Sequence, residues 1–265
     1  MTIMRSILAA ALLVLASCAT AATTSRGATD EPRDGQALLA RMHDRYAGKW
    51  FRTLTFVQRT VQRRPDGTEQ VTTWYEAQSG PRLRIDVGDP ALGNGVLYTA
   101  DSLYVVRGGK VVRSQAEGNP FLPLVVSVYL EPLDVTIRQL APYEIDLSRI
   151  RLQEWEGKPT YVVGALSPTD TTSPQFWVEK ERLIVTRFLM PLVPSPEGRA
   201  QDVRLENNVA LGGGWLSTRI RILDKGVPMQ TEEYTDWRAD VTFPATFFQA
   251  ERWMEGPHWA KSRMR

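Results

Sequence analysis

"DVRLENNVALGGGWLSTRIRILDKG", residues 202 to 226, carries a period of two on both sides of a glycine run. Val203, Leu205 and Val209 fall on one face, with Arg204, Glu206 and Asn208 on the other. Past the glycines, Leu216, Ile220 and Ile222 oppose Ser217, Arg219 and Arg221. Alternation of this kind marks strands with one dry and one wet face. No helical pattern follows the glycines, so they read as a loop rather than an anion-binding nest.

The same pattern extends outward. In "RLRIDV", Leu83, Ile85 and Val87 alternate with Arg82, Arg84 and Asp86. Tight-turn residues recur between such runs, at Asp66-Gly67, Gly108-Gly109, Gly157-Lys158 and Lys225-Gly226, where glycine takes positive φ at little cost. Successive hairpins build an antiparallel meander, not a parallel sheet with crossover helices. One helix precedes it: Leu38, Leu39, Met42 and Tyr46 stand at helical spacing, with Asp34 as N-cap and Gly48 as stop. Residues 119 to 145, "NPFLPLVVSVYLEPLDVTIRQLAPYEI", interrupt the meander with an apolar run punctuated by Pro120, Pro123, Pro132 and Pro142. Proline is tolerated in a first helical turn and ends an element elsewhere, so the segment reads as one or two short helices. There is no internal repeat and no change of composition after Asp34, which argues for one domain.

The opening "MTIMRSILAAALLVLASC" has the layout of a secretory signal: Arg5, an uncharged run to Ser17, and small residues before Cys18. The run is about a dozen residues, whereas a spanning helix needs about 20. Two cuts compete. "LASC" resembles the lipobox of bacterial lipoproteins, which leaves an acylated Cys18 at the mature N-terminus; Ala19-Thr20-Ala21 fits ordinary signal peptidase. The expected organisation is a signal over 1–18, a flexible tether over 19–34, a folded domain over 35–250 and a C-terminal tail over 251–265. The chain then resides in the bacterial envelope, lipid-anchored at the periplasmic face of the outer membrane, or soluble in the periplasm if cut after Ala21. Cys18 is the single cysteine, so no internal disulfide is available and a core must hold the domain. With 32 Lys and Arg against 30 Asp and Glu, the chain lacks the basic excess of a nucleic-acid binder.

Enzyme signatures are missing. The two histidines, His43 and His258, belong to no metal-binding His-Glu-x-x-His helix, and there is no Gly-x-Ser-x-Gly elbow or phosphate loop. His43 reads as a partly exposed helical residue, and the C-terminal tail reads as an unlikely rigid support for a base at His258. Alternation in "TEEYTDW" puts Glu232 with Asp236 on one face and Glu233 on the other, as in a solvated strand. The tail "RWMEGPHWAKSRMR" interleaves Trp253 and Trp259 with Arg252, Lys261, Arg263 and Arg265. It reads as a docked or frayed terminus, with a membrane-interface role as the alternative. No catalytic residue, metal ligand or cofactor is expected.

Taken together, the signal, the helix ending in "RMHDRYAGKW", the hairpins, the apolar insert and "FWVEKERLIVTRF" (176 to 188) resemble the LolA/LolB-like superfamily of periplasmic carriers and outer-membrane lipoprotein-sorting proteins. "GGWLSTRIRILDKG" resembles that family's late strand, with Ser217 where proline is usual. The resemblance implies a mainly β (α+β) domain in which a single curved antiparallel sheet forms an unclosed half-barrel. The N-terminal helix and the mid-chain helical insert cover its concave face. It also implies a cavity for acyl chains of lipids or lipoproteins, and a role in lipid or lipoprotein sorting without catalysis. The expected lining is Leu83, Ile85, Leu103, Val105, Phe176, Val178, Leu216 and Ile220, with Phe121, Leu124 and Val128 from the insert. The alternative is an interaction module whose sheet is filled by its own side chains and docks a protein partner.

Overall fold

A computed structural model describes residues 31–191 and 200–260; the signal and Cys18 lie outside them. Helix α1 (Gly35–Tyr46) begins where the sequence places it, the Asp34 carboxylate accepting from the Ala37 amide at 2.7 Å. Its apolar stripe, Leu38, Leu39, Met42 and Tyr46, is buried. Gly35 has no room for a side chain, since a Cβ would stand 2.6 Å from Val163. Its amide donates to the Leu147 carbonyl, locking the start of the helix in place.

Six strands follow: β1 (Thr53–Arg63), β2 (Glu69–Ser79), β3 (Arg82–Val87), β4 (Gly95–Tyr98), β5 (Leu103–Arg107) and β6 (Lys110–Gln115). The insert then supplies a π-helical turn (Pro123–Ser127) running into α2 (Val128–Leu130), and α3 (Leu133–Leu140). Pro123 sits in the first turn and Pro132 caps α3, the two roles open to proline here. Seven more strands complete the sheet: β7 (Ile150–Trp155), β8 (Lys158–Val163), β9 (Gln175–Glu179), β10 (Ile184–Met190), β11 (Gln201–Leu211), β12 (Gly214–Asp224) and β13 (Val227–Ala239).

All thirteen form one antiparallel sheet in the order β6-β5-β4-β3-β2-β1-β13-β12-β11-β10-β9-β8-β7. Paired strands are neighbours in sequence except at one seam, where the first strand meets the last, Leu54 facing Ala239 and Gln62 facing Gln230. β6 and β7 are edges, so the sheet is curved but not closed. Its main core packs α1, α2 and α3 residues against Phe176, Phe188, Val203 and Ile220 on the concave side. Trp50 stacks on Tyr129 with ring centroids 3.7 Å apart, and the His43 Nδ1–H donates to the Val128 carbonyl, joining α1 to the insert. The glycine run is the β11–β12 turn: Gly213 has φ +78° and packs so closely on the Lys49 carbonyl that a Cβ would stand 2.3 Å from it.

Two sequence expectations need correction. The outer face of "RLRIDV" is not wet: Arg84 and Asp86 are buried at 3% and 0% exposure. What covers them is the C-terminal segment, whose Phe247, Phe248, Ala250 and Trp253 pack with Ala77, Leu97 and Val106 of the sheet. That segment is therefore docked through Ala260, with Trp253 and His258 buried rather than presented to a bilayer; Lys261, Arg263 and Arg265 lie outside the described residues. Strict alternation also fails at Asn207 and Asp236, both with φ near +50°. Each interrupts the period of two, so Asn208 reaches the inner surface alongside Leu205, and Asp236 is exposed while Glu232 is not.

Candidate functional site

Inside the half-barrel lies a cavity of about 300 Å³, at the lower end of the size range of small-molecule sites. Its wall is two-sided. The apolar side comes from the insert (Phe121, Leu122, Val125, Val126 and Tyr129), from Ile184 and Val185 of β10, and from Leu205, Leu216 and Ile220 of β11 and β12. The other side is the concave face of β2, β1 and β13 across the seam, where the polar side chains Glu76, Gln78, Gln230, Glu232 and Tyr234 stand beside Leu54, Phe56 and Trp74.

Register explains that side. Gln58, Thr60 and Gln62 follow Leu54 and Phe56 on one face of β1, and face Trp74, Thr72 and Gln70 of β2 and Tyr234, Glu232 and Gln230 of β13. Most of these groups satisfy one another. The Gln62 amide donates to Gln230 at 2.8 Å, Gln58 to Thr60 at 2.8 Å and the Trp74 indole to Thr72 at 2.9 Å. Glu232 is 7% exposed and accepts twice, from the Gln230 amide and from the Tyr234 hydroxyl at 2.7 Å. The solvated-strand reading of Glu232 is thus overturned.

Glu76 is different. It is 5% exposed, yet no hydrogen bond reaches its carboxyl from the described residues. Burial, and secondarily the charge of Glu232, push its pKa well above the glutamate range. Burial raises Glu232 as well, with the Tyr234 and Gln230 hydrogen bonds pulling the other way, and burial followed by the two glutamates raises Tyr234. No lysine or arginine lines the cavity among the described residues. Nor does any group of three or more His, Cys, Asp or Glu side chains there form a metal site.

Of the lining residues expected from the sequence, Leu83, Ile85, Leu216, Ile220 and Phe121 stand at the wall. Phe176, Val178, Leu124 and Val128 lie in the packed core behind it. Leu103 and Val105 sit on β5, outside the lining, with Leu103 buried and Val105 half-buried. The polar residues were missed because a glutamate or glutamine on an alternating strand is ordinarily assigned to the wet face. The available signal was that Gln58, Thr60 and Gln62 share a face with Leu54 and Phe56 while Val57 and Val61 take the other, so alternation does not sort β1 into a wet and a dry face.

No protein-family model and no curated protein matches the chain. Solved structures do. A DUF1329 family protein from Desulfovibrio piger aligns with a TM-score of 0.53 at 14% identity, covering 81% of this chain and 95% of that one. A LolA superfamily protein from Nitrosomonas europaea aligns with a TM-score of 0.49 at 16% identity, covering 81% of this chain and 97% of that one. At such identities the likeness is one of fold alone. The fold shared with the DUF1329 family protein is an unclosed, curved antiparallel sheet with helices on its inner side.

Proposed function

We propose that the protein is a non-enzymatic carrier of the bacterial envelope that holds the apolar chain of a lipid or lipoprotein inside its half-barrel. The observation that carries this reading is the cavity itself, about 300 Å³ with a largely aliphatic and aromatic wall on one side. Each buried methylene contributes about 0.8 kcal/mol, so a chain of modest length gains several kcal/mol on entering. A filled interior, which the interaction-module reading requires, is at odds with that space. Among the described residues no helix is long and apolar enough to cross a membrane, and we assign attachment to acylation of Cys18, with residues 19–34 as the tether. Acyl-chain binding beside a membrane suits a part in lipid or lipoprotein sorting.

Native mass spectrometry of the purified protein, followed by organic extraction, tests the reading. A stoichiometric lipid mass, or uptake when lipids are offered, supports it; a clean protein mass with no uptake overturns it. Ile220→Trp, which places an indole in the cavity, is expected to abolish uptake while leaving the fold intact by circular dichroism. Cys18→Ala is expected to move the protein from the membrane to the soluble periplasmic fraction, and continued membrane fractionation overturns the anchor.

A further inference from the structure

The geometry points to a head-group site within this cavity, in which Glu76 receives the protonated amine of a single-chain amphiphile and Glu232, across β1, adds negative charge to the same cavity. The proposal rests on the carrier reading and adds the chemistry of the cargo.

Three observations converge on it. The first is an imbalance of donors and acceptors. Glu76 lines the cavity with no donor among the described residues. Two residues along the same face of β2, Gln78 is 2% exposed; its amide nitrogen is committed to the Gly80 carbonyl at 2.8 Å, which leaves its Oε1 without a donor. Buried acceptors without donors are costly, and an ammonium group supplies three N–H donors.

The second observation is charge. Two buried carboxyls share this wall, and no basic side chain of the described residues meets them there. Burial raises the pKa of both, that of Glu76 most, and an ammonium beside them favours the ionised forms. Glu232 is already set up as an acceptor, with Tyr234 and Gln230 each donating to one of its oxygens.

The third is the surrounding surface. Phe56 faces Glu76 across β1, Trp74 precedes it by two residues, and Tyr98 lies beyond on β4. All three line the cavity, and aromatic rings stabilise alkylammonium groups through their negative faces. The same wall disfavours a phosphate beside the amine, because no lysine or arginine lines it to meet one. The space also suits one chain rather than several.

Four probes sharing a twelve-carbon chain separate the possibilities: dodecylamine, dodecanol, dodecanoate, and the lysophosphatidylethanolamine with a dodecanoyl chain, each titrated calorimetrically below its micelle-forming concentration at neutral pH. Dodecylamine is expected to bind at least about tenfold more tightly than dodecanoate, and more tightly than the lysophospholipid. In Glu76→Gln that preference for the amine is expected to collapse while dodecanol binds as before, which also reports that the variant's cavity is intact. Equal or better binding of dodecanoate or the lysophospholipid overturns the amine site while leaving the carrier reading standing. So does an undiminished amine preference in both Glu76→Gln and Glu232→Gln. Failure of all four probes to bind overturns the carrier reading itself.

Discussion

Adjacent strands of this sheet bury carboxylates in opposite ways. On the outer face of β3, Asp86 is fully matched: Arg84 grips it through two N–H groups at 2.8 and 3.0 Å, and His258 adds a third contact at 3.1 Å. The Ala260 amide donates to His258 Nδ1, so the proton on Nε2 is the one given to Asp86. Arg84 also reaches the Phe247 and Trp253 carbonyls and lies over both rings. On the inner face of β2, Glu76 has none of this. A buried charge with all its partners fastens one segment to another; the Glu76 carboxyl, without them, faces the cavity. The outer cluster holds the C-terminal segment on the sheet, and the inner one lines the cavity.

Substitutions at the two sites are expected to diverge in sign as well as size. Arg84→Met leaves Asp86 buried without its cation and should destabilise the protein by about 3–5 kcal/mol, measured from urea denaturation, with residues 247–260 becoming sensitive to protease. A loss under about 1 kcal/mol would mean that the fastener is dispensable. His258→Ala removes one hydrogen bond to a charged group but keeps the Arg84 pair, so a smaller loss of about 1–3 kcal/mol is expected.

Glu76→Gln should be the smallest change, neutral or stabilising within about 1 kcal/mol at neutral pH. Its signature is in the pH dependence. Because the folded protein holds the Glu76 proton more tightly than the unfolded chain does, the associated stability is fully present below the ordinary glutamate value of about 4.3. It is lost as pH rises through the elevated value. Melting temperatures taken from about pH 5 to about pH 9 should therefore fall more steeply for the native chain than for the variant; parallel curves would mean that Glu76 is not held in its neutral form.

Much of the fold was legible because local signals agreed with one another. Asp34 caps α1, the strands at 82–87, 203–209 and 216–222 are where alternation puts them, and the turns fall at the expected glycines. What escaped the sequence depended on partners distant along the chain. The inner and outer faces of β3 were correctly separated, but the outer face is dry because a segment some 160 residues later covers it, as the Arg84 contact to Phe247 records. For the cavity, Leu83, Ile85, Leu216, Ile220 and Phe121 were within reach of a hydrophobic pattern. Glu76, Gln78 and Glu232 were not, because polar and apolar interiors give the same alternation.

The pairing of β1 with β13 also sets an order of assembly. Every other strand contact is made between sequence neighbours and can form as soon as a hairpin emerges, whereas this one joins opposite ends of the domain. Closing so long a loop is the slow, entropically expensive contact in such a topology. The two glutamates come from either side of that seam, Glu76 from β2 and Glu232 from β13. A nascent chain can thus possess twelve strands and still have no head-group pocket; binding competence arrives with the last strand, and ligand added during refolding should report completion of the domain.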